Sequence, residues 1–204
     1  MNYGLIIPIS ALLLAEVDDA RACFPAEVVV CACCAHRGTW YEGSGELSAS
    51  DAAEITRIRF SRIARTFLTD ADSHLAGTYV LSHSVVGRNW ELRFRDTQGK
   101  TSAVAFILPA SATAFRADID DGQMGSGGGP LLYKELRFEG TMVGSGIFEH
   151  QPRKHRRFRL VLQGRGNNCV RAEDFRNWRL QISADGVSQS FYGSLRTPAL
   201  RARS

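Results

Sequence analysis

A chain of 204 residues, 44% hydrophobic and 23% charged, has the length for one domain with a sizeable core and a composition that excludes whole-chain disorder. Its net charge of +4 favours solubility and weak contact with anionic surfaces over any specific polyanionic partner. No apolar run reaches the roughly eighteen residues that a membrane-spanning helix needs.

Residues 1–22 read as an export signal. "GLIIPISALLLA" (4–15) is the right length for its apolar core, and Ala20 and Ala22 place an A-x-A cleavage pattern before Cys23. No Lys or Arg precedes the run, and Glu16, Asp18 and Asp19 follow it, so a buried N-terminal helix is the alternative. Removing residues 1–22 raises the net charge from +4 to +6, because Arg21 leaves with three acids. The mature organisation expected is a Cys-rich segment at 23–36, a single β-barrel domain at 37–196, and a tail at 197–204. Its place is extracytoplasmic, periplasmic or secreted.

The Cys-rich segment carries Cys23, Cys31, Cys33 and Cys34, with His36 beyond, and Cys169 stands far along the chain. In an exported chain these five cysteines are expected to form disulfides, with one sulfur left over. A bridge from this group to Cys169 would close a long loop, stabilising by about 4–5 kcal/mol in the chain-entropy model. The alternative is a copper or zinc site built from Cys31, Cys33, Cys34 and His36, since thiolate and imidazole are the ligands those metals choose. Cys31 and Cys34 also form C-x-x-C, without the strand-to-helix setting of a redox motif.

From residue 38 onward the period is two. "GTWYE" opens a strand with Trp40. "SASDAAEITRI" predicts a short helix with Ser50 as its N-cap and Asp51 and Glu54 in the first turn. "TYVLSHSV" then puts Tyr79, Leu81 and His83 on one face, and "WELRF" sets Trp90, Leu92 and Phe94 against Glu91 and Arg93. "RFRLVLQ" sets Phe158, Leu160 and Leu162 against Arg157, Arg159 and Val161, and "WRLQI" repeats the scheme with Trp178, Leu180 and Ile182. Such alternation marks antiparallel strands with one buried and one wet face. Turn signals at "RDTQGK", "FEGT" and "SADG" separate them, and the glycine-rich "GQMGSGGGP" reads as a hairpin loop rather than a domain linker. "NWELRFRDTQGK" and "NWRLQISADGVS" share N-W-x-L before a turn, the mark of two similar hairpins. "RAEDFRNW" predicts a single helical turn.

The fold class expected is therefore all-β, a mostly antiparallel β-barrel or sandwich of about 8–10 strands with one or two short helices. A closed barrel is favoured because it leaves no exposed edges. Trp40, Trp90 and Trp178 are the expected lining of its core or ligand cavity.

Two resemblances add to this. Gly38, Trp40 and Tyr41 in "GTWYE" resemble the first motif of the lipocalins, which implies an eight-stranded barrel whose first strand begins at Trp40 and an Arg near the last strand, here Arg196, over that Trp. The later T-D-Y-like motif of that family is missing. "GPLLYKELRFEG", "LVLQGRGNNC" and "DFRNWRL", with the N-terminal cysteines, resemble a group of uncharacterised exported bacterial proteins, a likeness that implies no activity.

Function is less legible. "QPRKHRRFR" gathers Arg153, Lys154, Arg156, Arg157 and Arg159 into a patch able to meet phosphate, sulfated glycan or lipid headgroups, or to be a solvated hairpin tip. No aromatic platform interleaves with it, and an exported chain is not expected to meet nucleic acid. "DIDDG" breaks the calcium-loop spacing and reads as an acidic turn. There is no G-x-S-x-G or phosphate-binding G-K-[ST], and His83 falls on an apolar face, as a core histidine would. The expectation is an exported, non-catalytic barrel without a cofactor, binding a small apolar or amphipathic ligand at its interior or open end. A copper- or zinc-handling protein, an exported enzyme of unknown type and a structural or surface-interaction protein are the alternatives.

Overall fold

The computed structural model describes residues 40–67, 77–118, 132–149, 156–166, 170–184 and 187–196. The expected export signal, all five cysteines, His36, Arg153, Lys154 and most of "DIDDG" lie outside the described residues. Within them the chain forms β1 (Trp40–Glu46), α1 (Ala49–Arg57), β2 (Arg59–Phe67), β3 (Thr78–Val86), β4 (Asn89–Arg95), β5 (Thr101–Ile107), β6 (Ser111–Ala117), β7 (Leu132–Ser145), β8 (Arg157–Gly166), β9 (Phe175–Ala184) and β10 (Val187–Arg196).

All strand pairings are antiparallel, and eight strands close into a barrel. Around the ring the order is β2, β3, β4, β5, β7, β8, β9 and β10, with β10 returning to β2. Each ring strand therefore neighbours the next ring strand in sequence, the up-and-down arrangement that needs only short connections. The two N-W-x-L segments lie in β4 and β9, each paired with the strand that follows it, so both are hairpins as expected.

The remaining two strands leave the ring. β7 is 14 residues long, and one edge of it is shared. Its 142–145 stretch pairs with β5, its 133–137 stretch with β6, and β6 pairs onward with β1. The break between β5 and β6 falls at Leu108–Ala110. Leu108 turns its N–H to Arg88 O at 2.7 Å, and Pro109 has no N–H to give the ladder. On the β7 side of the break stands Gly140, where a Cβ would come within 2.9 Å of the Phe158 ring. The hairpin β6–β7 spans the glycine-rich segment, so that segment connects paired strands. β1 is thus a wing strand outside the closed ring, which begins at β2. The lipocalin-like expectation of Trp40 opening the first barrel strand is corrected accordingly.

Aromatic and aliphatic side chains point into the barrel. Trp90 and Trp178 are each 1% exposed and meet Phe60 edge-on, with ring centroids 5.7 and 5.2 Å away. Phe106 stacks on Phe158 at 4.2 Å, and Phe94 lies 4.6 Å from Phe191. Such pairs add to the stabilisation that burial of large rings already supplies. α1 brings Ile55 and Ile58 into this core, and Glu54 Oε2 accepts the Ala172 N–H at 2.9 Å, tying the helix to a 3-10 turn at Ala172–Asp174. A second 3-10 turn, Gly146–Phe148, inserts Phe148 against Phe94 and Phe191. Ile147 N–H donates to Ser102 Oγ at 3.1 Å and holds that turn in place.

The N-cap of α1 lies two residues before the predicted one. Ser48, in extended conformation, accepts the Asp51 N–H at 3.1 Å and is the N-cap, while Ser50 lies inside the helix and bonds the Ser48 hydroxyl. Both serines suit a cap by residue type, and backbone geometry decided between them.

Candidate functional site

The alternation that buries one face of β7, β8 and β9 sends their other side chains outward, and the wing carries this outer surface on through β6 and β1. Three cross-strand rungs result. The first runs Glu42, Phe115, Glu135, Gln163; the second Thr113, Arg137, Val161, Arg179, Tyr192; the third Glu139, Arg159, Gln181, Ser190. Ten residues of these rungs line an open groove of about 340 Å³, within the range of small-ligand sites.

Arg137 is its centre. Its Nε donates to Glu135 Oε2 at 2.7 Å, its Nη1 to Glu42 Oε1 at 2.8 Å, and its guanidinium lies 5.4 Å from the centre of the Phe115 ring. These contacts join β1, β6 and β7 across the branch of the sheet. Glu135 also accepts from the Tyr133 hydroxyl and, at 2.7 Å, from Gln163 Nε2. Burial works to raise the Glu135 pKa, but bonds from Tyr133, Gln163 and Arg137 outweigh it and hold the carboxyl below the ordinary glutamate range. Burial, then the adjacent Glu135 carboxylate, push the Tyr133 phenol up to about 12. Both groups are thus fixed in charge at neutral pH, which suits recognition and not proton transfer.

The rest of the groove is more open. Arg159 Nε donates to Glu139 Oε1 at 2.6 Å in an exposed pair. Arg179 Nη2 donates to Ser190 Oγ at 3.2 Å, and Gln181 Nε2 to Ser188 Oγ at 2.8 Å.

A second polar cluster faces inward. Lys134 follows the inward parity of Leu132, Leu136 and Phe138, is 3% exposed, and places Nζ 2.6 Å from Asp174 Oδ2 and 5.5 Å from the centre of the Phe175 ring. Burial draws the Lys134 pKa down and pushes that of Asp174 up, each opposed by the partner's charge. The approach of Asp174 to β8 requires Gly164 and Gly166. A Cβ at the first would lie 1.8 Å from Asp174 O, and at the second 2.2 Å from its carboxylate.

The residues singled out in the sequence are scattered. Trp90 and Trp178 sit in the apolar interior, and Trp40 opens the wing strand β1. Arg196 ends β10 opposite Arg59. Of the basic patch, Arg156 is turned inward at 5% exposure, donating to Glu149 O at 2.6 Å and Gly144 O at 3.3 Å, so it is a backbone clamp and not a surface cation. Arg157 is exposed, and Arg159 belongs to the groove. His83 is half-buried 5.2 Å from Phe60, and burial, with Arg59 and Arg196 nearby, lowers its pKa. Among the described residues, no group of three or more His, Cys, Asp or Glu is placed to hold a metal, and no helix is long and apolar enough to cross a membrane.

Sequence reasoning missed Glu42, Glu135, Arg137, Gln163, Arg179 and Gln181, because charged residues at wet strand positions read as solvent-facing. A signal was present in the opposite charges at alternate positions of "YKELRFEG" and in the Lys amid its apolar inward positions. Comparison with protein-family models, with curated proteins and with solved structures finds no match for this chain.

Proposed function

We propose that the protein is an exported, non-catalytic β-barrel binding module that takes a small polar ligand in the groove on its outer face. The observation that carries this reading is the groove itself, where five strands converge charged, amide and hydroxyl side chains on one concavity. Its most buried acid, Glu135, is held ionised by its hydrogen bonds, an arrangement for accepting from a ligand. An apolar ligand in the interior is less well supported, since the rings there pack against one another. The apolar N-terminal run and the Ala20-x-Ala22 pattern support export.

Mapping by two-dimensional amide NMR tests the location. Small polar probes are expected to move the signals of Arg137, Gln163 and Gln181 saturably. Quenching of Trp90 and Trp178 by an apolar probe, with the outer-face signals unmoved, would return the ligand to the interior and overturn the reading.

A further inference from the structure

We infer that the ligand of this groove carries one anionic group on a hydroxyl-bearing body, and that Arg179 receives the anion; the inference rests on the outer-face binding reading above. The groove contains three arginines and three glutamates. Arg137 is held by two of the carboxylates, at 2.7 and 2.8 Å, and Arg159 by the third at 2.6 Å. Arg179 is the exception, since its described partner is a hydroxyl, Ser190 Oγ, at 3.2 Å.

A guanidinium presents five N–H donors in a planar fork matched to a carboxylate or to a sulfate or phosphate ester, and one bond to a hydroxyl leaves most of that fork available. The other charges narrow the class. Each carboxylate already has its arginine, so the groove does not await a cation. The same carboxylates would repel a polyanion, which limits the ligand to a single negative group. Beside Arg179 on its rung lies Val161, an apolar floor 9% exposed, while Gln163 and Gln181 on the flanking rungs, their amide nitrogens donating within the sheet, offer amide oxygens to hydroxyls. A hexuronate, with one carboxylate and several hydroxyls, is the simplest member of this class.

The test is titration of the full chain with glucuronate, glucose 6-sulfate and glucose, followed by calorimetry and by the Val161 methyl and Arg179 side-chain NMR signals. One or both anionic sugars are expected to bind with glucose weaker by about tenfold or more, the loss of one charge-assisted hydrogen bond; which of the two binds identifies the anion. Arg179→Ala is expected to abolish that preference, Arg179→Lys to retain part of it, and Arg93→Ala, an arginine on β4 paired with Glu91, to leave binding unchanged. Thermal melts check that the variants fold. Equal binding of glucose and the anionic sugars, unaffected by Arg179→Ala, would overturn the anion assignment while leaving the groove reading intact. Equal loss in Arg93→Ala would reduce the effect to general charge attraction and also overturn it. No groove signal moved by any of the three would remove both readings.

Discussion

On the inner face of β7, β8 and β9, Phe138, Leu160 and Leu180 stand side by side across the strands, each without exposure. One residue further along β7 and β9, and one back along β8, Glu139, Arg159 and Gln181 form a rung open to solvent. The backbone hydrogen bonds are shared by both faces, so the difference lies wholly in side chains and surroundings. The inner rung is worth its transfer from water and its packing. The outer rung has one exposed ion pair of little net stability and is free to serve recognition.

The largest test of this contrast lies at its exception, the charged Lys134 on the inner face. Lys134→Met is expected to cost about 3–5 kcal/mol in urea unfolding, because it strands the Asp174 carboxylate in a partly buried place. Adding Asp174→Leu is expected to recover most of that loss, since two apolar groups replace a pair that is costly to desolvate. A double variant as unstable as the single one would show that the ion pair itself holds the 3-10 turn to the barrel.

Leu160→Ala is expected to cost about 2–5 kcal/mol through lost burial and a residual cavity. Its neighbour on the other face, Arg159→Ala, is expected to stay within about 0.5 kcal/mol. Comparable losses would mean that the outer rung is structural and would weaken the case for a ligand there.

Acid sensitivity separates the faces more finely. Glu135 has a folded pKa below the ordinary glutamate value of about 4.3, so its contribution is complete above that value and lost as pH falls through the depressed one. Glu135→Gln should therefore flatten the acid limb of a plot of urea midpoint against pH. The smallest effect belongs to His83, whose folded pKa is also lowered. The unfolded chain binds the proton first, so stability should begin to fall as pH drops below about 6.5, and His83→Gln should remove that slope.

The faces were legible from the residues because side-chain direction in a strand is a local property with period two. Tyr79 and Leu81, then Trp90, Leu92 and Phe94, are buried where alternation put them. The pairing of "NWEL" and "NWRL" as hairpins followed from turns a few residues away. The groove was not legible, because its side chains come from strands as far apart as β1 and β9, and Glu42 is 95 positions from the Arg137 it bonds.

The sequence alone therefore determined the class of fold, the strands β3, β4, β8 and β9, and which of their residues are apolar. Tertiary structure decided that β1 and β6 leave the ring at Pro109, that Lys134 meets Asp174 from 40 positions away, and that the outward charges of four strands face one concavity. The physical reason is range. Alternation and turn chemistry act over a few residues, whereas strand neighbours are chosen by closure of the sheet around a core filled by residues from the whole chain.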